Sequence, residues 1–213
     1  VWGIDQVYNK QNQGSIWKYT TSGDNHELWV WGINSEGILG LAGQEGQTRY
    51  SSPVQLPGTT WRTVKGDQSA YMFVIATKTD NTLWSWGYND YGYLGLNDRT
   101  KRSSPTQIPG TTWKSGVRGT MHSVAIKTDG TMWTWGRNQI GDLGLNQNNT
   151  INKSSPTQVP GTTWDIAKAA ANRSSYATKT DGTLWSWGSN PGLLGHNNRT
   201  QYSSPVQVGT DTG

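Results

Sequence analysis

Histidines and carboxylates are the side chains of this chain that could support acid–base chemistry. The three histidines stand at unrelated positions, far apart in the sequence: His26, His122 and His196. The repeated carboxylates all stand in short turns: Asp80, Asp129 and Asp181. Catalysis requires a nucleophile and a base within reach, paired carboxylates with separated pKa values, or metal ligands at suitable spacing. The sequence offers none of these, so we expect no enzyme, no catalytic residue, no metal site and no cofactor.

Composition excludes further classes of function. The 213 residues include no Cys, which excludes disulfides and thiolate metal sites, and no glycine-rich phosphate loop is present. The net charge of +4 is scattered without a basic run, so we expect no nucleic-acid partner. No stretch of about 18 apolar residues occurs, so we expect no membrane span.

Three landmarks define a repeat of about 51 residues. A WxWG motif recurs four times, and its second tryptophan is Trp31, Trp86, Trp135 and Trp187. An SSPxQ motif places prolines at Pro53, Pro105, Pro156 and Pro205. A PGTTW motif ends at Trp61, Trp113 and Trp164. A period in this range is typical of propellers and other repeat arrays.

Each repeat has the signals of a small antiparallel sheet. SVAIK (123–127) and TMWTW (131–135) flank Asp129-Gly130, a dipeptide typical of two-residue hairpins in which both turn residues take positive φ. The proline of SSPxQ favours an edge strand, which needs no backbone donor at that position. We therefore expect four strands per repeat: one after the PGTTW tryptophan, the two hairpin strands and the SSPxQ edge.

Tryptophan must supply much of the core, because only 32% of residues are hydrophobic while 13 are Trp. Strand alternation places Trp84 and Trp86 on one face and the smaller Ser85 on the other. We expect the tryptophan pair of one unit to pack over small residues of the next. The predicted structural tryptophans are Trp29, Trp31, Trp84, Trp86, Trp133, Trp135, Trp185 and Trp187.

The segment HSVAIKTDGTMWTWGRNQIGDLGL (122–145) resembles the repeat of the regulator-of-chromosome-condensation (RCC) family. Histidine, hairpin turn, tryptophan and Leu-Gly pair follow in the family's order, and the likeness covers about residues 23–208. It implies propeller blades and a structural, hydrogen-bonded role for His122. The wording KTDGTLWSWG, SSPVQ and PGTTW is similar to RCC-type repeats in virion proteins of bacteriophages, especially marine ones.

The resemblance implies an all-β propeller of four-stranded blades in one domain, residues 1–213. The expected units are a divergent partial blade at 1–22 and blades at 23–61, 62–113, 114–164 and 165–208. Family propellers usually have seven blades, so we expect an arc or fragment of a larger ring. A closed four-bladed propeller, or copies that complete one another as an oligomer, are the alternatives.

The positions that differ between repeats are the candidate binding surface, because constant strands with variable loops are typical of binding scaffolds. They lie directly before the hairpin or after WG. The candidates are Asp67, Gln68, Tyr88, Tyr91, Tyr93, Arg118, Met121, Arg137, Asn172 and Arg173. Exposed Tyr and Arg are typical anchors of binding interfaces. Neutral drift of unconstrained loop residues is the competing interpretation.

Three functions of different classes follow. The first is a non-enzymatic phage virion component, a tail fibre or decoration, that binds other virion proteins or a host-surface protein or glycan. The second is a secreted bacterial adhesin or an inhibitor similar to the propeller-type β-lactamase inhibitor protein, located outside the cell or at its surface. The third is guanine-nucleotide exchange, which the family resemblance associates with a complete ring and a specialised wedge. Light sensing, as in the family's plant UV-B photoreceptors, requires a GWRHT motif that this sequence lacks.

Overall fold

The protein consists of antiparallel sheets stacked in chain order. A computed structural model describes residues 16–20, 26–42, 49–66, 72–147, 151–170 and 173–209, with backbone only for 16–20. Fifteen strands form four sheets in these ranges, which we number as blades 1 to 4. The only helical element there is a single 3-10 turn at Ser35–Gly37. No helix in the described ranges is both long and apolar enough to cross a membrane.

The strands follow the repeat. Blade 1 contains β1 (Ile16–Thr20), β2 (His26–Ile33) and β3 (Arg49–Leu56). Blade 2 contains β4 (Trp61–Lys65), β5 (Phe73–Lys78), β6 (Leu83–Gly87) and β7 (Arg102–Ile108). Blade 3 contains β8 (Trp113–Arg118), β9 (His122–Lys127), β10 (Met132–Gly136) and β11 (Lys153–Val159). Blade 4 contains β12 (Trp164–Ala169), β13 (Ser174–Lys179), β14 (Leu184–Gly188) and β15 (Tyr202–Val208).

The predicted four-stranded unit is confirmed in blades 2, 3 and 4. Each sheet has its strands in sequence order, so the strand with the SSPxQ proline forms the edge, as expected. Blade 1 has three described strands. Among the described residues, the strands of blades 1 and 4 make no extensive contact with each other, so the blades form an open arc.

The sheet limits differ from the expected units in two places. Strand β1 lies within the segment 1–22, but it pairs with β2 and so belongs to blade 1. Trp61, Trp113 and Trp164 open the first strand of a blade instead of closing the preceding one. Residues 1–15 of the expected partial blade lie outside the described ranges.

The prediction of a two-residue hairpin loop is wrong, because hydrogen bonds of the Asp129 side chain favour a loop of three residues. In blade 3, Gly130 has φ +77° while Asp129 does not take positive φ. The N–H of Gly130 donates to the Lys127 carbonyl (3.1 Å), and the N–H of Lys127 donates to the Thr131 carbonyl (2.9 Å). This is a three-residue loop that ends in a left-handed glycine.

The turn aspartates belong to a chain of hydrogen bonds that explains why the TDGTxW motif recurs. Asp129 Oδ1 accepts from the N–H and hydroxyl of Thr131 (2.9 and 2.7 Å). The Thr131 hydroxyl in turn accepts from the indole N–H of Trp133 (2.9 Å). These hydrogen bonds lower the pKa of the Asp129 carboxyl. This chain of hydrogen bonds recurs in blades 2 and 4, from Asp80 and from Asp181.

Hydrophobic clusters join each blade to the next. We call the face of a blade that meets the following blade distal and the opposite face proximal. Between blades 2 and 3, the distal Ile75, Leu83 and Ile108 pack against the proximal Trp113 and Trp135. Equivalent clusters join blades 1 and 2 and blades 3 and 4.

The second tryptophan of each WxWG motif is a latch to the preceding blade. Trp86, Trp135 and Trp187 are completely buried. The indole N–H of Trp86 donates to the Ile38 carbonyl of blade 1 (2.8 Å), and that of Trp135 donates to the Tyr93 carbonyl of blade 2 (2.7 Å). The tryptophan pair was expected to cover small residues of the next blade. The structure shows the opposite: these indoles pack against the preceding blade, where they face the loop that follows its WG dipeptide.

A second latch joins that same loop to the edge strand of the following blade. A Cβ placed on Gly92 would lie 2.5 Å from Ser154 Cα, so the two backbones are nearly in contact. The N–H of Asn97, a residue with φ +62°, donates to the Ser154 carbonyl (2.8 Å). The next junction repeats both features with Gly141, Asn146 and Ser203. The Ser-Ser-Pro strand and the Gly-x-Leu-Gly loop are therefore matched halves of one junction.

Candidate binding face

The variable residues gather at one end of the blades because hydrogen bonds bring two loops together there. One loop follows the WG dipeptide, and the other precedes the hairpin. The first residue of the WG loop donates its N–H to the carbonyl of the last residue of the other loop. In blade 3 this bond joins Arg137 to Met121 (2.9 Å), and in blade 2 it joins Tyr88 to Met72 (2.8 Å). We call this end of the arc the WG-loop face.

Aromatic rings form the centre of this face. Phe73 and Tyr93 stack with ring centroids 5.3 Å apart. Tyr88 and Tyr91 flank Tyr93 with centroids at 6.0 and 5.7 Å. Tyr93 was expected to be an exposed anchor, which is wrong. Its ring is 0% exposed because it turns inward onto Phe73 and supports the two half-buried tyrosines.

Two guanidinium groups border the rings. The Arg118 guanidinium lies 4.6 Å from the centre of the Phe73 ring, and that of Arg137 lies 5.5 Å from the centre of the Tyr91 ring. Arg137 also donates to the Gln139 side chain and contacts the Met121 sulfur. We call the half-buried group Tyr88, Tyr91, Arg118, Met121 and Arg137 the tyrosine–arginine patch.

One carboxylate moderates the charge of the patch. The Tyr88 hydroxyl donates to the exposed Asp90 carboxylate, and this bond is the main cause that raises the Tyr88 pKa to about 12. The phenol therefore stays neutral at physiological pH. The patch thus combines two arginines with one adjoining carboxylate.

Arg173, another predicted anchor, has a structural partner. Its Nε and one terminal nitrogen donate to the two carboxylate oxygens of Asp142 (2.8 and 2.9 Å). Asp142 belongs to the loop of blade 3, while Arg173 precedes the hairpin of blade 4. The Asp142 side chain is 0% exposed and that of Arg173 is 21% exposed. This bidentate pair is a third latch between neighbouring blades, so Arg173 has a structural role.

His122 is buried and hydrogen-bonded, in agreement with the role that the resemblance implied. Its Nε2 lies 2.7 Å from the hydroxyl oxygen of Ser175 in the next blade. Burial lowers the His122 pKa to about 4, an effect that the Asp142 carboxylate opposes and Arg173 and Arg118 reinforce. The imidazole is therefore neutral near pH 7 and out of contact with solvent.

Three predicted surface residues, Asp67, Gln68 and Asn172, lie outside the described ranges. The comparison of the repeats with one another did not select Phe73 or Asp142, although each differs from the residue at its position in a neighbouring repeat. Phe73 is the only Phe of the chain and stands where the next repeat has His122. Asp142 stands in the Gly-x-Leu-Gly loop where the preceding repeat has Tyr93. In the described ranges, no group of three or more His, Asp or Glu side chains could hold a metal ion.

Comparison with known proteins identifies the repeat. The model of the regulator of chromosome condensation (RCC1) repeat matches residues 80–126 and 129–172. The chain is an RCC-type β-propeller. The ultraviolet-B receptor UVR8 of Arabidopsis thaliana is 28% identical over 215 aligned residues, which cover 90% of this chain and 46% of the receptor.

Solved structures agree with this propeller fold. Human WBSCR16 has a TM-score of 0.72 at 21% identity, over 92% of this chain and 51% of that protein. Prp20p of Saccharomyces cerevisiae has a TM-score of 0.70 at 18% identity, over 91% of this chain and 53% of that protein. The RCC-type propeller described here thus spans about half the length of these relatives. The work on Prp20p also concerned its binding to Gsp1p and histones.

Proposed function

We propose that this RCC-type propeller is a non-enzymatic binding protein whose tyrosine–arginine patch contacts its partner. The observation that carries the proposal is the continuity of the patch across blades 2 and 3, where Tyr91 and Arg137 meet. Tyr and Arg dominate binding free energy in many interfaces, because they combine a large apolar area with directional donors.

The patch is also preorganised for binding. Arg137 is held by Gln139, Met121 and the Tyr91 ring, so its side chain has little rotamer freedom left to lose on association. Tyr91 rests on the buried Tyr93. Two guanidinium groups beside half-buried phenol rings favour a partner that offers carboxylates or other oxygen acceptors, as a protein or an acidic glycan does.

The absence of enzymatic activity is supported by the groups that might have acted as catalysts. His122 is buried against Ser175, and no substrate could reach it without opening the junction between blades 3 and 4. The Asp142 carboxylate is buried and neutralised by Arg173. In each turn carboxylate, the Oδ1 oxygen accepts a hydrogen bond from a threonine hydroxyl.

The more specific proposal is a bacteriophage virion component, a tail fibre or decoration protein, that attaches to other virion proteins or to the host surface. The repeat wording KTDGTLWSWG with SSPVQ and PGTTW supports it. The repeated latches also support it, since they make a rigid scaffold that displays variable loops. Mass spectrometry of purified virions tests this assignment, and repeated absence of the chain from the particles would refute it.

Adsorption to host cells tests the role of the patch in a virion component. Tyr91→Ala and Arg137→Ala, placed in the virion protein, are expected to slow adsorption to host cells at least tenfold each, because each removes a central contact. The matched control is Lys114→Ala, in the same blade but at the opposite end of its sheet. The Lys114 side chain makes an exposed ion pair with Asp165, so its loss should leave both folding and adsorption unchanged.

A secreted bacterial adhesin or protein inhibitor is the second candidate, because the same patch would serve a protein or glycan target outside the cell. Fractionation of the source bacterium distinguishes the two. Recovery of the chain from the cell surface or culture medium, together with its absence from phage particles, would favour this alternative.

A further inference from the structure

The junction between blades 1 and 2 differs from the two junctions after it at one loop residue. At those later junctions, Asn97 and Asn146 take positive φ and donate their N–H to a serine carbonyl of the next edge strand. Ala42 stands at this position in the loop of blade 1, and within the described ranges its N–H makes no such bond. The close approach of Gly37 to Ser103 is kept, since a Cβ on Gly37 would lie 2.6 Å from Ser103 Cα. The difference at Ala42 leaves room between the loop of blade 1 and the edge strand of blade 2.

A cavity of about 490 Å³ lies at this place, and its volume is in the range of small-molecule binding sites. Leu41 of blade 1 and Trp84 and Pro105 of blade 2 form apolar walls. Ala42 and Gln55 also line the cavity and are exposed, so it opens to solvent. The walls come from two consecutive blades of the chain, so the cavity does not depend on contacts at either end of the arc.

The cavity contains a cation that two indoles hold in place. The Lys78 ammonium lies 4.0 Å from the centre of the Trp84 ring and 4.7 Å from that of the Trp61 ring. Among the described residues, no carboxylate forms an ion pair with it. Burial lowers the Lys78 pKa, an effect that the charge of Asp80 opposes. The ammonium has thus lost part of its hydration without gaining an anionic partner, which a bound carboxylate would supply.

The other groups of the cavity indicate what the carboxylate is attached to. Gln55 and Ser104 line the cavity and carry an amide and a hydroxyl, which both donate to and accept from hydroxyl groups. Trp84 and Pro105 provide apolar surface against which C–H groups pack. A ligand with a carboxylate, several hydroxyls and an apolar C–H face matches all three features. This combination is characteristic of acidic sugars.

We propose that the cavity between blades 1 and 2 binds a sugar residue that carries a carboxylate. The Lys78 ammonium binds the carboxylate, the sugar ring packs on Trp84, and Gln55 and Ser104 contact hydroxyls. The two tryptophans fix the lysine before the ligand arrives, which reduces the entropy lost on binding. The cavity lies toward the hairpin end of blade 2, where β5 ends and β6 begins, whereas the tyrosine–arginine patch lies on the WG-loop face. The inference is therefore independent of the role of that patch.

The next junction offers a matched control. Lys127 lies on Trp113 and Trp133, with its ammonium 5.0 and 4.3 Å from the ring centres, as Lys78 does on its own pair. The loop at that junction is closed by the hydrogen bond from Asn97. Lys127→Ala therefore removes the same cation–π contacts as Lys78→Ala but should leave the cavity intact.

The test probes an array of oligosaccharides that contain uronate or sialate, each beside its methyl ester, which lacks the charge. The wild type is expected to retain carboxylated members and not their esters. The tightest of them is then titrated by isothermal calorimetry. Lys78→Ala should weaken its binding on the order of tenfold or more, because a charge-assisted hydrogen bond is lost, whereas Lys127→Ala should bind like the wild type. Ala42→Trp places a large side chain at the exposed mouth and should abolish binding.

Thermal denaturation of each variant verifies that it is folded. Retention of no carboxylated saccharide, or equal retention of the esters, would overturn the proposal. Binding that Lys78→Ala and Ala42→Trp both leave intact would overturn it as well, because the saccharide would then bind elsewhere. Tyr91→Ala should bind the saccharide like the wild type, and a loss of binding in that variant alone would place the sugar on the tyrosine–arginine patch instead.

Discussion

The buried His122 should make the free energy of unfolding depend on pH between about 4 and 6.5, which lies above the range in which the turn carboxylates titrate. Its pKa is lowered from 6.5 to about 4 by burial at the junction between blades 3 and 4. The folded protein therefore keeps the imidazole neutral, while the unfolded chain takes up a proton below pH 6.5. The stabilisation is fully present above pH 6.5 and is lost as the pH falls toward 4.

The size of the effect follows from the two pKa values. With 6.5 for the unfolded chain and about 4 for the folded protein, lowering the pH from 7.5 to 5.0 costs about 2 kcal/mol in the free energy of unfolding. Solvent does not screen this effect, because His122 is completely buried. The turn carboxylates do not interfere, since hydrogen bonds from threonine hold the pKa values of Asp80, Asp129 and Asp181 below 3.8.

Urea denaturation at the two pH values, followed by tryptophan fluorescence, measures this free energy. His122→Gln keeps a polar group for Ser175 but cannot titrate, so it should show about 2 kcal/mol less pH dependence than the wild type. All other ionisable groups are common to the two proteins, so only His122 enters this difference. Ser175→Ala is the control, which loses the hydrogen bond but keeps the buried imidazole and its pH dependence.

Equal pH dependence in the wild type and in His122→Gln would refute the reasoning. It would mean that the imidazole takes up its proton in the folded protein as readily as in the unfolded chain. A loss of pH dependence in Ser175→Ala would instead place the cause in the hydrogen bond and not in burial.

Two further predictions concern the latches between blades. Arg173→Met should lower the free energy of unfolding by about 3 kcal/mol, because the carboxylate of Asp142 stays buried without its cation; a change under about 1 kcal/mol in urea denaturation would contradict it. Gly92→Ala should cost about 3 kcal/mol or more, since φ is +79° and the new Cβ would lie 2.5 Å from Ser154 Cα. Gly192→Ala, with positive φ but open space, should cost only about 1 kcal/mol, and equal losses in the Gly92 and Gly192 variants would refute the junction geometry.

Features that depend on neighbours in the sequence could be predicted well. The Asp-Gly turn between two β-prone segments predicted the hairpin of β9 and β10, because hairpin formation is a local choice. The type of turn was predicted wrongly, since the Asp129 carboxylate bonds to Thr131 and favours the three-residue loop. The edge position of the Ser-Ser-Pro strand followed from the missing backbone donor of proline.

The candidate binding face was predicted only in part, because burial of a loop residue depends on distant residues. Variation between repeats selected Tyr91 and Arg137, which do meet on one face. It also selected Tyr93, which is buried on Phe73, 20 residues earlier in the chain. Arg173 looked like a free cation in the sequence, but its partner Asp142 lies 31 residues away.

The sequence by itself determined the repeat, the four-stranded unit and the face of each strand that carries tryptophan. These follow from alternation, turn chemistry and a period of about 51 residues, all of which are local or periodic. Only the tertiary structure decided which carbonyl each indole binds and which arginine is neutralised. Such contacts join residues 30 to 50 positions apart, as between Trp135 and Tyr93 or Trp86 and Ile38, and they form only once one blade has stacked on another.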